Sequence, residues 1–436
     1  DSWRAYNLFR RTMLAHIVPR EGDGPAFPPI AHLSTSFYEL NATNQENVLS
    51  HLNSVKGLGF EVFWLDAYWT GPDGFPNSMG NYGLPLERVE PRDRFPDGLA
   101  AIGRAVSDVG LKFLMWFEPE RVAPGTRIAR EHPEWVLSPG GDGSGLFHLG
   151  IPEARAYMTE YLDAAIKGYG LSWLRIDYNI DPLTFWQFGD QDRPDRLGMT
   201  EMRYIEGLYQ MWDDLRAANP GLLIDDCASG GRRVDLETCS RSLILWRSDN
   251  TCDMVGSSRD SILMAAVKNQ LMSAGLNRYL PMSIVGQMGA APYFFRSGFN
   301  GGIAFGEDVR PADYPRDQLK QAIAECRRIR KYWLGDFYQL SEATPDPRDW
   351  CVLQYHRPEQ EDGIVLAFRR HLSPYSGYDC ALRAIDPNAT YAVTVSTTYE
   401  PSPEVTMHGA ELQRLNIVIH ECPGSALLEY RKTGGG

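Results

Sequence analysis

Short apolar runs alternate with stretches of 3.6-residue periodicity along most of this chain. That alternation restricts the fold to parallel strands joined by helical crossovers. The strand candidates are 30–33, 60–66, 112–117, 173–177, 222–225, 243–248, 278–282 and 302–305. Helical spacing falls between most of them, for example over 44–55, 99–109, 153–167, 201–217 and 259–273. Eight such units in about 300 residues match an α/β fold of the (β/α)8 TIM barrel type better than an open doubly wound sheet. No Gly-x-Gly-x-x-Gly phosphate loop follows the first strand. After a last barrel helix at 316–332 the pattern changes to short alternating strands at 350–356, 363–369, 391–396, 415–420 and 425–430. These read as a small C-terminal antiparallel β-sandwich. The expected division is a lead-in segment over 1–28 packed on the barrel, a catalytic barrel over 29–335 and a sandwich over 336–433. Gly434-Gly435-Gly436 reads as a flexible tail.

Composition narrows the chemistry. The 436 residues are 43% hydrophobic and 11% aromatic, enough for a large core in two domains. The net charge of −13 would repel nucleic acid and anionic membranes, which favours a neutral substrate. No apolar run reaches the roughly 18 residues a transmembrane helix needs. The first residues, Asp1-Ser2-Trp3-Arg4, lack the basic and apolar regions of a signal peptide, so a cytoplasmic location is expected. Without an initiator Met, the chain reads as a fragment or a processed form. The seven cysteines (Cys227, Cys239, Cys252, Cys326, Cys351, Cys380 and Cys422) are never spaced as Cys-x-x-Cys, and the nine histidines show no paired-ligand spacing. Neither a disulfide framework nor a metal site is implied, and no cofactor is called for.

Two of the apolar runs halt at a carboxylate: Trp173-Leu174-Arg175-Ile176-Asp177 and Leu243-Ile244-Leu245-Trp246-Arg247-Ser248-Asp249. In a parallel barrel the last strand residues face the catalytic mouth, so aspartates from two strands can flank one substrate bond. Arg175, two residues before Asp177, shares its strand face and would favour the ionised form. The Gly- and Pro-rich loop 70–90 leaves from the same end. Loops of that length in compact domains are usually functional.

Several motifs carry a family resemblance. They are Phe60-Glu61-Val62-Phe63-Trp64-Leu65-Asp66, Phe95-Pro96-Asp97-Gly98-Leu99, Trp116-Phe117-Glu118-Pro119-Glu120, His132-Pro133-Glu134-Trp135, Cys227-Ala228-Ser229-Gly230-Gly231-Arg232 and Trp246-Arg247-Ser248-Asp249. In this order and spacing the chain resembles glycoside hydrolase family 36. The resemblance implies a retaining α-glycosidase, most of all an α-galactosidase, acting on an oligosaccharide or glycoconjugate. Asp177 corresponds to the family nucleophile and Asp249 to the acid/base, at a separation of roughly 5–5.5 Å. Asp66 corresponds to an aspartate that binds sugar hydroxyls, Trp116 offers a face for a sugar ring, and Cys227 and Gly230 close around the 2-hydroxyl. Trp246 lines the pocket near Asp249. For Glu118, a hydrogen-bonding role with Arg121 or a backbone amide is at least as good a reading as a catalytic one.

Three departures bear on specificity. The family's second Asp after Asp66 is Ala67, its Lys before the nucleophile is Arg175, and its Arg before Phe147-His148-Leu149 has no counterpart. Altered donors imply altered hydroxyl recognition. The family's large amino-terminal β-sandwich has no equivalent in these residues. An α-N-acetylgalactosaminidase, a transglycosylase of the raffinose-synthase kind and an inactive carbohydrate-binding protein remain as alternatives. A homo-oligomer stays open.

Overall fold

The computed structural model describes residues 1–33, 38–251, 258–400 and 402–433. The tail glycines and Cys252 lie outside the described residues. Two compact units divide the chain, one of His32–Lys56 and Phe60–Ile244, the other of Asp1–Ala31, Gly57–Gly59 and Leu245–Gly436.

In the first unit, strands β1 (Val62–Leu65), β2 (Lys112–Phe117), β3 (Trp173–Ile176) and β4 (Leu223–Asp226) pair side by side in that order, all parallel. Every residue in them except Lys112 is buried. Burial on both faces explains why they read as continuous apolar runs rather than alternating ones. Helix Gln45–Val55 leads into β1, and Leu99–Asp108, Pro152–Tyr169 and Met199–Ala218 supply the three crossovers between β1 and β4. Their ends follow from sequence. Asn44 caps the first by a reciprocal capping box with Asn47, and Gly170 ends the third in the left-handed conformation. The register pairs Trp116 with Arg175 and Arg175 with Asp225, so the strand ends present one row of side chains.

The second unit holds the short parallel pair β5 (Gly286–Gln287) and β6 (Ile303–Phe305). It also holds an antiparallel sheet in which Cys351–Arg357, Asp362–Arg369 and Gly424–Lys432 are successive neighbours. The two-stranded sheet of Gly377–Cys380 and Leu415–Val418 contributes to the same apolar core. There Val352, Val365 and Leu428 cluster with Cys380, Leu415 and Ile417.

Two expected strands differ. In 243–248 only Leu243 joins a ladder, by bonds with Ile224 and Asp226. Further along, Arg247 spends its donors on the carbonyls of Ile284, Ser283 and Asn269 and on Ser273. Residues 278–282 form a turn and an irregular segment after helix Arg259–Leu276. Pro281 lacks an N–H for a ladder, and the strand falls later, at Gly286–Gln287. The first residues form a helix, Ser2–Thr12, with no counterpart in the expected pattern. Its buried Asn7 exchanges hydrogen bonds with the backbone of Phe337, and its buried Arg10 binds the carbonyls of Asn277, Trp333 and Gly335.

Candidate active site

The ends of β1–β4 gather Asp66, Trp116, Arg175, Asp177, Cys227 and Gly230, all in the first unit. Arg175 is buried, and its planar fork reaches two carboxylates: Nε lies 3.1 Å from Asp66 Oδ2, and Nη1 pairs with Asp225 Oδ2. Its guanidinium lies 4.8 Å from the Trp64 ring centroid. Trp64 also donates its indole N–H to Asp66 Oδ2 at 2.7 Å.

Asp177 accepts hydrogen bonds on both carboxylate oxygens. Oδ1 accepts from the backbone of Tyr178 at 2.8 Å and of Ser229 at 3.3 Å. Oδ2 accepts from Trp116 Nε1 at 3.0 Å and Asn179 Nδ2 at 2.8 Å. Burial opposes ionisation, but the charge of Arg175 and hydrogen bonds from Asn179, Trp116 and Cys227 outweigh it. The carboxyl is held below its ordinary range. Asp66 moves the other way. Burial raises it, against Arg175, Ala67 and Trp64, with the nearby negative charge of Asp177 adding to the rise.

The turn after β4 supplies one of these donors through an unusual backbone. Ser229 has φ +50°, a left-handed conformation that a side chain disfavours, and Gly230 follows at φ +88°. The Ser229 hydroxyl donates to Asn179 Oδ1 at 2.7 Å and so fixes the amide that holds Asp177. Gly230 N–H points at Cys227 Sγ at 3.4 Å. Burial pushes the Cys227 thiol well above its ordinary value, so it stays a neutral thiol.

Glu118 stands beside this constellation. Its Oε1 accepts the Asn179 backbone N–H at 2.7 Å and its Oε2 pairs with Arg121. Burial, only partly opposed by Arg121, pushes its pKa up to about 7. Loop 70–90 covers the row from one side. Ala67, Met79 and Trp116 form an apolar cluster with Tyr68 and Phe75 against it, and Phe75 meets Trp116 edge-on at 5.4 Å. Trp116 is 1% exposed.

Trp246 and Asp249 belong to the second unit, where Trp246 Nε1 donates to Asp249 Oδ1 at 2.9 Å. Asn179, Ser229 and Asp225 were not singled out from sequence. Asn179 was legible as an amide two residues past Asp177, and Asp225 as an acidic residue at a strand end. The left-handed Ser229 carries no such signal.

The Melibiase family model matches residues 35–267, more than half of the chain. α-Galactosidase C of Emericella nidulans is 26% identical over 90% of this chain and 52% of its own length. The chain thus spans about half the length of the curated relatives it matches. Among solved structures, the family 36 α-galactosidase AgaA of Geobacillus stearothermophilus superposes with a TM-score of 0.77 at 19% identity, covering 99% of this chain and 58% of that one. A variant of it was solved in complex with stachyose. The α-galactosidase of Lactobacillus brevis gives a TM-score of 0.76 at 20% identity, covering 100% of this chain and 59% of that one. These likenesses show the fold: a TIM barrel followed by a C-terminal antiparallel β-domain. On the extent of that match, the chain belongs to the Melibiase family.

Proposed function

We propose that this chain is the catalytic portion of a retaining α-glycosidase of α-galactosidase type, with residues 29–335 as its barrel. Asp177 is the nucleophile and Asp249 the acid/base. The observation that carries this reading is the state of Asp177, a buried carboxyl kept ionised by Arg175 and by side-chain donors. A carboxylate of that kind at a parallel strand end is poised to attack an anomeric carbon. Attack forms the C–O bond of a covalent glycosyl-enzyme while Asp249 gives its proton to the departing oxygen. Asp249 then takes a proton from water, whose oxygen displaces Asp177.

The other residues take supporting roles. Trp116 and Asn179 fix Oδ2, and the longer of the two backbone bonds to Oδ1, from Ser229, leaves Oδ1 the more available lone pair. Asp66 receives sugar hydroxyls while Arg175 holds it in place. Cys227 and Gly230 shape the floor near the 2-hydroxyl, and Trp246 lines the side of the acid/base. Because Ala67 stands where the family has a second Asp, the grip on the 4- and 6-hydroxyls is reduced and the preference for galactose is altered. The substrate is a terminal α-linked sugar of an oligosaccharide or glycoconjugate.

A panel of aryl α-glycosides tests this, with α-galactoside, α-N-acetylgalactosaminide and β-arabinoside as arms. Turnover of the α-galactoside that disappears in Asp177→Asn is the expected result. Turnover of none of the three, or turnover that survives the substitution, would overturn it.

A further inference from the structure

The loops that carry Asp177 and Ser229 also border a cavity. This cavity, of about 320 Å³, lies between residues that follow β3, residues that follow β4 and helix Met199–Ala218, wholly within the first unit. None of Asp66, Trp116, Arg175, Asp177 or Cys227 lines it. Its size is at the lower end of small-molecule sites, roughly 300–1,000 Å³. Aromatic rings make its walls: Tyr178, Trp186, Tyr204 and Tyr209. Trp186 and Tyr204 meet at 5.6 Å, tilted by 60°.

The polar groups of this cavity are unevenly satisfied. Arg233 stacks 4.0 Å over the Tyr178 ring and gives Nη2 to Glu120 at 2.7 Å, but its buried Nη1 has no hydrogen-bond partner among the described residues. Among the described residues the buried indole Nε1 of Trp186 has none either. Buried donors of this kind call for an acceptor. Charge, by contrast, is already matched. Arg233 faces Glu120 and feels the charge of the buried Asp226 as well, and Arg232 pairs with Asp181 at 2.7 Å and binds the carbonyls of Ala228 and Tyr178. Asp235 is occupied in capping the helix that starts at Leu236. An anion would find no uncompensated positive charge here. A neutral ring with C–H faces for the aromatic walls and hydroxyl oxygens for the two N–H groups satisfies both requirements.

We propose that this cavity is a second carbohydrate-binding site, taking one neutral sugar ring apart from the candidate active site. The inference stands on the cavity's own chemistry and goes beyond the reaction proposed for Asp177. Arg232 ties the carbonyls of Tyr178 and Ile180 to that of Ala228, so a sugar seated here touches the segments that hold the nucleophile's donors.

The test is a binding count on the full chain with glucose, galactose and sucrose as probes, by calorimetry and saturation-transfer NMR. The expected result is two classes of site for at least one probe. Trp186→Ala should weaken one class at least tenfold and spare the other, and Asp66→Asn should do the reverse. Should Trp186→Ala fail to fold, Ile205→Trp fills the same cavity and must remove the same class. A single class of site, or two classes that both ignore the cavity variants, overturns the proposal. So does a cavity-dependent site that takes inorganic phosphate or glucuronate in preference to the neutral sugars. Absence of aryl galactoside hydrolysis by the wild type would refute the catalytic reading alone and leave this count unaffected.

Discussion

Replacing Glu118 by Gln tests the electrostatics of the site without touching the proposed catalytic pair. The Glu118 side chain has no solvent exposure, and its pKa is pushed from 4.5 to about 7, first by burial and then by the charge of Asp177, against Arg121. The folded state therefore binds a proton that the unfolded chain releases above its own, lower pKa. This group's stabilising contribution is complete below about pH 4.5, declines as pH rises from there through about 7, and is absent above. At 1.36 kcal/mol per unit, a displacement of that size corresponds to a total of about 3 kcal/mol, of which roughly 2 kcal/mol falls between pH 5 and 7.5. Gln keeps the volume and the oxygen that accepts the Asn179 N–H but cannot titrate. Urea unfolding at pH 5, 6, 7 and 7.5 measures the effect as wild type minus variant, which cancels the other titrating groups. The wild type should lose roughly 2 kcal/mol relative to Glu118→Gln across that range. Parallel pH profiles would refute the argument and show that Glu118 is ionised throughout.

The remaining predictions follow from single contacts. Asp177→Asn should abolish turnover whatever the leaving group, whereas Asp249→Asn should spare aryl glycosides that depart without a proton; equal losses on good and poor leaving groups would void the assignment. Ser229→Gly keeps the N–H that reaches Asp177 and removes left-handed strain of about 1–2 kcal/mol, but frees the Asn179 amide, so kcat should fall while the melting temperature holds or rises. A lower melting temperature with unchanged kcat contradicts this. Ala67→Asp should raise kcat/KM for aryl α-galactoside while lowering stability, because the new carboxyl enters the apolar cluster of Met79 and Trp116. Unchanged galactoside kinetics would rule out position 67 as a specificity element. Under native conditions, alkylation with peptide mapping should label the exposed Cys422 and spare the buried Cys227, whose thiol resists ionisation.

The parts of the fold legible in the sequence are those whose signal is local. Lys112–Phe117 is legible to the residue because a strand buried on both faces leaves an unbroken apolar run between a glycine-ended helix and a polar turn. Segments 243–248 and 278–282 carry the same apolar signal without forming strands, since pairing depends on partners far along the chain and on donors that Pro281 lacks. The opening helix went unseen because its buried face is made by Asn7 and Arg10, polar side chains that become satisfied only by backbone near residues 277 and 333–337. In the site, Asp66, Arg175 and Asp177 announce themselves as charges ending apolar runs. Ser229 acts through its backbone angle and N–H, neither of which residue type encodes.

Arg175 shows why charge placement, more than residue identity, decides what the site can do. One guanidinium reaches Asp66 with Nε and Asp225 with Nη1, and its charge also acts on Asp177. A lysine, as a single point donor, would match one carboxylate closely and the others less. Burial raises the cost of ionisation for every carboxyl in the row, so one cation cannot hold all of them equally ionised. Asp177 and Asp66 respond differently to burial: for Asp177 the charge of Arg175 and the bonds from Asn179, Trp116 and Cys227 outweigh it and the carboxyl falls below its ordinary value, while for Asp66 burial outweighs Arg175, Ala67 and Trp64, the charge of Asp177 adds to it, and the carboxyl rises. The split matches the tasks proposed for them, because a nucleophile must be anionic before it attacks, whereas a sugar-binding carboxyl can exchange hydrogen bonds in either state.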